Sequence, residues 1–219
     1  DKYLQAQATH RWLLDFAHLG CPLSQGTVTG GLQRLAPLFE PVVDALRDKH
    51  LSERLFHADE TGWRVFESIE NKASYRWYLW VMQSPSVVYY QMAPGRDAGV
   101  PLDHFGGLEE GTPLGRQSSA FQRHHRALRK HVSQMKARCE ACLQQPDLDN
   151  VQRAVLTSLN NHWPGLVLFA KHPQIPMDNN QAERSLRGAV TGRKRYYGSG
   201  RVWSAQLAAL LFTVLQTVL

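Results

Sequence analysis

Apolar residues recur at roughly helical spacing through the first fifty positions. Leu4, Trp12, Leu13, Phe16 and Leu19 form the first such set. Gly20 and Pro22 end it. Ser24 is placed to cap a short helix, and Gly30-Gly31 breaks the pattern. Leu32, Leu35, Leu38, Phe39, Val42, Val43 and Leu46 then predict a second amphipathic helix, limited or kinked by Pro37 and Pro41. Two helices around a short turn fit a helix-turn-helix, but a simple packing arm explains the same spacing and is the expectation.

From residue 54 the period changes. Arg54 to Asp59 is a short apolar run ending at an acid. Trp63 to Phe66, Tyr75 to Val81 and Val87 to Met92 follow, separated by turn signals at Asn71-Lys72 and Ser84-Pro85. Their β-branched and aromatic content predicts three or four consecutive antiparallel strands, which Pro94-Gly95-Arg96 ends. Residues 99 to 120 are Gly-rich and weakly patterned. Helices are expected from about Ala120 to Leu143 and from Asn150 to Phe169. Asp178 or Asn179 is placed to cap another that carries Ala182-Glu183-Arg184. Gly188 to Gly200 has the look of a basic, Gly-containing loop, and Ala205 to Leu219 that of a buried closing helix. Helices and strands in this order predict an α/β (α+β) chain: an N-terminal helical arm over 1–50 and a core over 51–219.

Composition narrows the function only a little. At 219 residues the chain is long enough for one domain with a full core. Its 43% hydrophobic and 20% charged residues are ordinary for a globular protein. No apolar run approaches a membrane span, and Asp1-Lys2-Tyr3 opens no signal peptide. The missing initiator Met is what a piece of a longer protein would show. A net charge of +6 favours a polyanionic partner only where the cations cluster. Cys139 and Cys142 have CxxC spacing, but no second pair at zinc spacing accompanies them. Reduced thiols on a helix face, in a cytosolic protein, are the expectation.

The chemistry concentrates in two places. Asp59-Glu60-Thr61 ends the first apolar strand, where a carboxylate is held rigidly. Asp178-Asn179-Asn180-Gln181-Ala182-Glu183-Arg184 begins a helix and puts Glu183 one turn in. If that helix packs on that strand, Asp59 and Glu183 face each other. Carboxylates so placed suit hard divalent cations in phosphodiester chemistry. Arg184, Arg187, Arg193, Lys194, Arg195 and Arg201 surround Tyr196-Tyr197. Cations interleaved with aromatics suit DNA, although a solvated basic loop has the same composition. Asn179 and Asn180 are candidate cap or phosphate contacts.

These stretches resemble the DDE transposases of the insertion-sequence 66 family. The resemblance rests on His57-Ala58-Asp59-Glu60-Thr61-Gly62-Trp63-Arg64-Val65, on Arg76-Trp77-Tyr78-Leu79-Trp80-Val81, and on Met177 through Arg187, running on through Gly192 to Gly200. It covers roughly residues 20 to 219. It implies a ribonuclease-H-like catalytic core with Asp59 and Glu183 as the first and third catalytic, metal-binding carboxylates. It also implies two Mg²⁺ (or Mn²⁺) ions, and DNA contacts from Asn179, Asn180, Arg184, Arg187, Arg193, Lys194 and Arg195. The implied partner is double-stranded DNA, at insertion-sequence ends and target, in a bacterial, nucleoid-associated cytoplasmic setting. Homo-oligomers and accessory proteins stay open.

The departure from the family pattern is local. The phrase Phe105-Gly106-Gly107-Leu108-Glu109-Glu110-Gly111-Thr112 is present, but the strand with the second Asp that should follow it is not. Pro113 to Phe121 keep a Ser-Ala-aromatic echo, by which Arg116 occupies the acid's slot, and a Cys-Trp-x-His-x-Arg-Arg helix is absent. This implies a deletion or substitution around 113–125, with no second catalytic Asp identified and Asp103 as the nearest spare acid. The family's N-terminal DNA-recognition segment and C-terminal tail are also missing. Three readings follow: a working transposase; a remnant that binds DNA without chemistry, favoured for this chain by Arg116; and an unrelated nuclease or helical interaction module in which Asp59 and Glu183 are coincidental.

Overall fold

The computed structural model describes residues 2–69, 74–97, 99–106, 119–173 and 175–219. The chain divides into two compact units, Asp1–Glu109 with Asn179–Leu219, and Glu110–Asp178. The helical arm belongs to the first unit.

That first unit is built on a three-stranded antiparallel sheet of β1 (His57–Arg64), β2 (Arg76–Gln83) and β3 (Val88–Ala93), in the order β1-β2-β3. Asp59 pairs with Val81 and Trp63 with Trp77. Alternation sends His57, Asp59, Thr61 and Trp63 to one face and Ala58, Glu60, Gly62 and Arg64 to the other. β2 is central and has a core on both faces, which is why its sequence is apolar almost throughout. Trp77, Leu79 and Val81 enter the main core, while Trp80 and Met82 enter a smaller one. Asp59 therefore lies inside a continuous strand, not at the end of one. Trp63 to Arg64 continue it, so the acid-rich segment between the two expected runs is itself extended.

Two helices build the main core on the Asp59 face: α6 (Asn180–Tyr196) and α7 (Val202–Thr217). α7 also seals the free edge of β3. The Thr213 hydroxyl accepts from Tyr90 N at 2.9 Å, and that of Thr217 accepts from Val88 N at 3.1 Å. These hydroxyls stand in for a neighbouring strand and blunt an exposed edge. On the opposite face, α3 (Gly99–Phe105) contributes Val100 and Phe105 to the smaller core. α3 falls in a stretch whose sequence shows little pattern.

α1 (Thr9–His18) precedes α2 (Gln25–Leu51), a single helix that runs through Gly30-Gly31, Pro37 and Pro41. The expected break at the glycines does not occur. Ser24 starts the helix by accepting from Thr27 N at 3.0 Å, and packing on α7 carries it past the weak positions.

The second unit is a helical hairpin of α4 (Ser119–Leu143) and α5 (Asn150–Leu166), followed by a short 3₁₀ turn, Leu168–Ala170. Asp149 caps α5 by accepting from Val151 N at 2.8 Å and Gln152 N at 3.3 Å. Arg153 closes the hairpin loop on the Leu143 and Gln145 carbonyls at 3.0 and 2.8 Å. Cys139 is buried against α5 with its thiol on the Leu156 carbonyl, and Cys142 is a free thiol one turn on. Among the described residues no helix is long and apolar enough to cross a membrane.

Candidate functional site

Asp59 points toward α6, where it is half-buried beside Val81. Its Oδ1 accepts from the Glu60 amide at 2.9 Å. Burial raises its carboxyl above the usual range. The Glu60 amide works against that shift, and the negative charges of Glu60 and Glu183 add to it. Glu60 itself turns to the other face, where Arg96 pairs with it.

α6 lies along β1 in the same direction. Its buried stripe is Ala182, Leu186, Ala189 and Gly192, in which the alanines and the glycine let the helix approach the strand closely. Two side chains pin it. Asn179 donates to the Ala58 carbonyl at 2.7 Å, and Arg193 donates to the Thr61 hydroxyl at 3.2 Å and to the Gly62 carbonyl. Ser185 ties the same helix to β2 through Gln83 at 2.8 Å, and the Tyr90 hydroxyl from β3 reaches the Ser185 carbonyl at 2.7 Å. Glu183, exposed in the first turn of α6, is thereby held near enough to Asp59 for its charge to raise the Asp59 carboxyl.

The outer edge of β1 has no strand beside it among the described residues; side chains and one loop serve it instead. Asn179 takes Ala58 O, Arg193 takes Gly62 O, and Ser199 N donates to Arg64 O at 2.8 Å while Ser199 O accepts from Phe66 N at 2.9 Å. The close approach at Ser199 depends on Gly198, at φ 135°, where a Cβ would overlap the Arg64 carbonyl.

The basic segment expected as a loop from Gly188 is helical as far as Tyr196, and its cations consequently fan out in different directions. Arg184 and Arg187 are exposed on α6, as is Lys194. Arg193 is partly buried and engaged with β1. Arg195 leaves the strand and donates to the Gln5 carbonyl at 3.1 Å. Asn179 spends its amide on Ala58 and makes no cap bond; Asn180 is the first residue of α6. Tyr196 packs into the main core against Trp63, ring centroids 6.2 Å apart, whereas Tyr197 is 71% exposed in a left-handed conformation. Asp103 is exposed on α3, across the sheet from Asp59. Arg116 and the segment before Ser119 lie outside the described residues. Among the described residues, no three His, Cys, Asp or Glu side chains converge.

Glu60 to Arg64, Phe66, residues 74–76, Tyr78, Arg96, Arg193, Lys194 and Tyr197 line a cleft of about 920 Å³ at the outer edge of β1. The sequence shows no sign of it beyond the strand alternation that puts Arg64 and Arg76 on one face.

A sandwich of three antiparallel strands and two helices, with Asp59 on β1 in the field of Glu183 on α6, defines an α+β domain. The transposase IS66 family profile matches residues 1–115 and 114–207, and the chain belongs to that family. The two matched segments meet at Leu114 and Gly115, inside the stretch where the phrase for the second acid gives out. The chain is also similar to an uncharacterized protein, y4hP, of Sinorhizobium fredii (strain NBRC 101917 / NGR234), with 38% identity over 55 residues. That match covers 25% of this chain and 10% of the relative. No solved structure matches the chain.

Proposed function

We propose that this chain is the catalytic core of a DDE-type DNA transposase with a ribonuclease-H-like arrangement, in which Asp59 and Glu183 are two of three metal-binding carboxylates. The observation that carries this is the seating of α6 on β1, which brings Glu183 to bear on a half-buried Asp59. A carboxylate raised by burial and by a neighbouring negative charge, as Asp59 is, is relieved by a divalent cation, and Mg²⁺ or Mn²⁺ prefers oxygen ligands of this kind. Asp59 and Glu183 fit such an ion, which when bound would activate water or a 3′-hydroxyl for in-line attack on phosphorus. The protein's own contribution is placement. Asn179 and Arg193 hold the helix in register, and exposed Arg184 and Arg187 are positioned to steady DNA phosphates by charge-assisted hydrogen bonds.

A second reading, a DNA-binding remnant without catalysis, is favoured by the break in the family match at 114–115 and by Arg116 in the slot of the second acid. Both readings keep the Asp59–Glu183 pair. Mn²⁺ titration followed by electron paramagnetic resonance tests that pair. Wild type is expected to bind an ion weakly, and Asp59→Ala and Glu183→Ala are each expected to lose it. Equal Mn²⁺ uptake by all three proteins would overturn the metal assignment.

A further inference from the structure

The cleft at the outer edge of β1 has the chemistry of a site for unpaired DNA. Among the described residues, five cationic side chains line it, Arg64, Arg76, Arg96, Arg193 and Lys194, against one acid, Glu60, already paired with Arg96. Two of those cations stand directly opposite each other: Arg64 pairs with Arg76 in the β1–β2 register, on the same face. Like charges at such a position destabilise a sheet unless an anion sits between them. Exposed rings stand beside them. Phe66 is 48% exposed, Tyr75 52% and Tyr197 71%, and Phe66 and Tyr75 lie 6.2 Å apart between centroids at 50°. Three large exposed rings in one cleft are unusual on a surface with no partner. The volume falls within the range of roughly 300–1,000 Å³ common to small-molecule pockets. That is room for a base and sugar.

We propose that this cleft holds a single-stranded stretch of DNA, with phosphates on Arg64, Arg76 and Lys194 and one or two unstacked bases against Phe66, Tyr75 and Tyr197. Phosphates answer the unmatched positive charge, and bases answer the open rings, a combination that single-strand binders use without reading sequence. The cleft begins at Glu60, next in sequence to Asp59 but on the opposite face of the sheet, and reaches Phe66 about 20 Å further along the strand by its rise per residue. The inference rests on the DNA-transposase reading and adds the strandedness of the substrate at this place.

Fluorescence anisotropy with a labelled dodecameric oligothymidylate, the same label on a duplex of equal length, and an oligoglutamate competitor tests it on the full chain. The expected result is that Phe66→Ala and Tyr75→Ala each weaken the single strand about 5- to 100-fold, the range of one stacked base. Duplex affinity should stay within about twofold, and Tyr75→Phe should retain wild-type binding. Arg64→Gln with Arg76→Gln should flatten the salt dependence by about one unit of slope per lost phosphate contact. Duplex binding as tight as single-strand binding, unaffected by the aromatic changes, overturns this inference and leaves the transposase reading standing. Full competition by oligoglutamate would assign the cleft to an acidic peptide and also overturns it. Absence of binding to either DNA sinks both.

Discussion

The side-chain amide of Asn179, the residue before α6, donates to the main-chain oxygen of Ala58 at 2.7 Å, one residue short of Asp59. Helix and strand are thus fastened beside Asp59, within reach of the Glu183 charge. A cap bond to its own helix would have been the usual role for an Asn here; instead the amide satisfies the open edge of β1. Asn179→Ala leaves that carbonyl without its partner. The expected cost is about 1–3 kcal/mol of stability in urea unfolding. A matching loss of Mn²⁺ affinity should follow, because Glu183 is no longer held. Unchanged unfolding would show that Arg193 and the buried stripe of α6 suffice.

The charge on Asp59 gives a second test. Its folded pKa is raised above the unfolded value, first by burial and then by Glu60 and Glu183. The stability that goes with the protonated form is therefore complete below the unfolded pKa and is lost as pH rises through the folded one. At neutral pH without metal, the ionised pair works against the fold. Asp59→Asn and Glu183→Gln should each raise the melting temperature at about pH 7 in chelator, and Mg²⁺ should raise that of wild type but not of the variants. A lower melting temperature for both variants would mean that the two carboxylates are not in each other's field.

Acid should act on the other side of the sheet. His50 and His104 are buried with ring centroids 5.2 Å apart, among Phe56, Tyr89 and Phe105. Burial lowers both imidazoles to about 4; Glu53 opposes this at His50, while His50 and Arg47 reinforce it at His104. A depressed folded pKa means that the unfolded chain takes up protons first. Stability is whole above about 6.5 and falls as pH drops toward about 4. A melting temperature that falls by several degrees between about pH 7 and about pH 5 is expected, and His104→Leu should flatten that slope. A flat wild-type profile would sink the idea.

Part of this was legible in the chain. The switch from period 3.6 to period 2 near residue 54 located the sheet, and the two acidic phrases located Asp59 and Glu183. Three things were not legible, each for a physical reason. Gly30-Gly31, Pro37 and Pro41 argue against a helix locally, yet α2 runs through them and packs on α7, a tertiary contact that local propensity does not contain. Gly188 and Gly192 suggest a loop, yet α6 runs through both, and at Gly192 a Cβ would meet the Tyr196 ring. That same packing moves Tyr196 from a candidate base-stacking residue into the core. The cleft was invisible because Arg64, Arg76 and Lys194 come from three separate segments, joined only by strand register and the turn after α6.

Tyr196 offers a direct check on that reassignment. Among the described residues its buried hydroxyl has no hydrogen-bond partner, and its ring packs on Trp63. Removing an unsatisfied hydroxyl is neutral or stabilising by up to about 1 kcal/mol. Tyr196→Phe should therefore keep or gain stability and bind DNA as wild type does, whereas Tyr197→Ala should weaken single-strand binding. Reduced DNA affinity in Tyr196→Phe at unchanged stability would return Tyr196 to the DNA-contacting surface.

Catalysis sets the sharpest expectation: the chain as it stands should not cut or join DNA at a useful rate with Mg²⁺ or Mn²⁺. Two divalent ions bring four positive charges, and Asp59 and Glu183 offset only two of them. By sequence, the slot of the second acid holds Arg116, whose guanidinium does not lose its proton. A bridging carboxylate is what draws two such ions together, so a single weakly held ion is the expected state. Asp103 does not stand in, because it is exposed on α3, across the sheet from Asp59. Arg116→Asp alone should restore little, since the strand and helix that would aim the acid are also missing from the sequence. Grafting the whole segment of an intact family member should give cleavage that Asp59→Ala or Glu183→Ala abolishes. A nicking and strand-transfer assay decides the matter, and robust metal-dependent product from the unmodified chain that vanishes with Asp59→Ala would refute it.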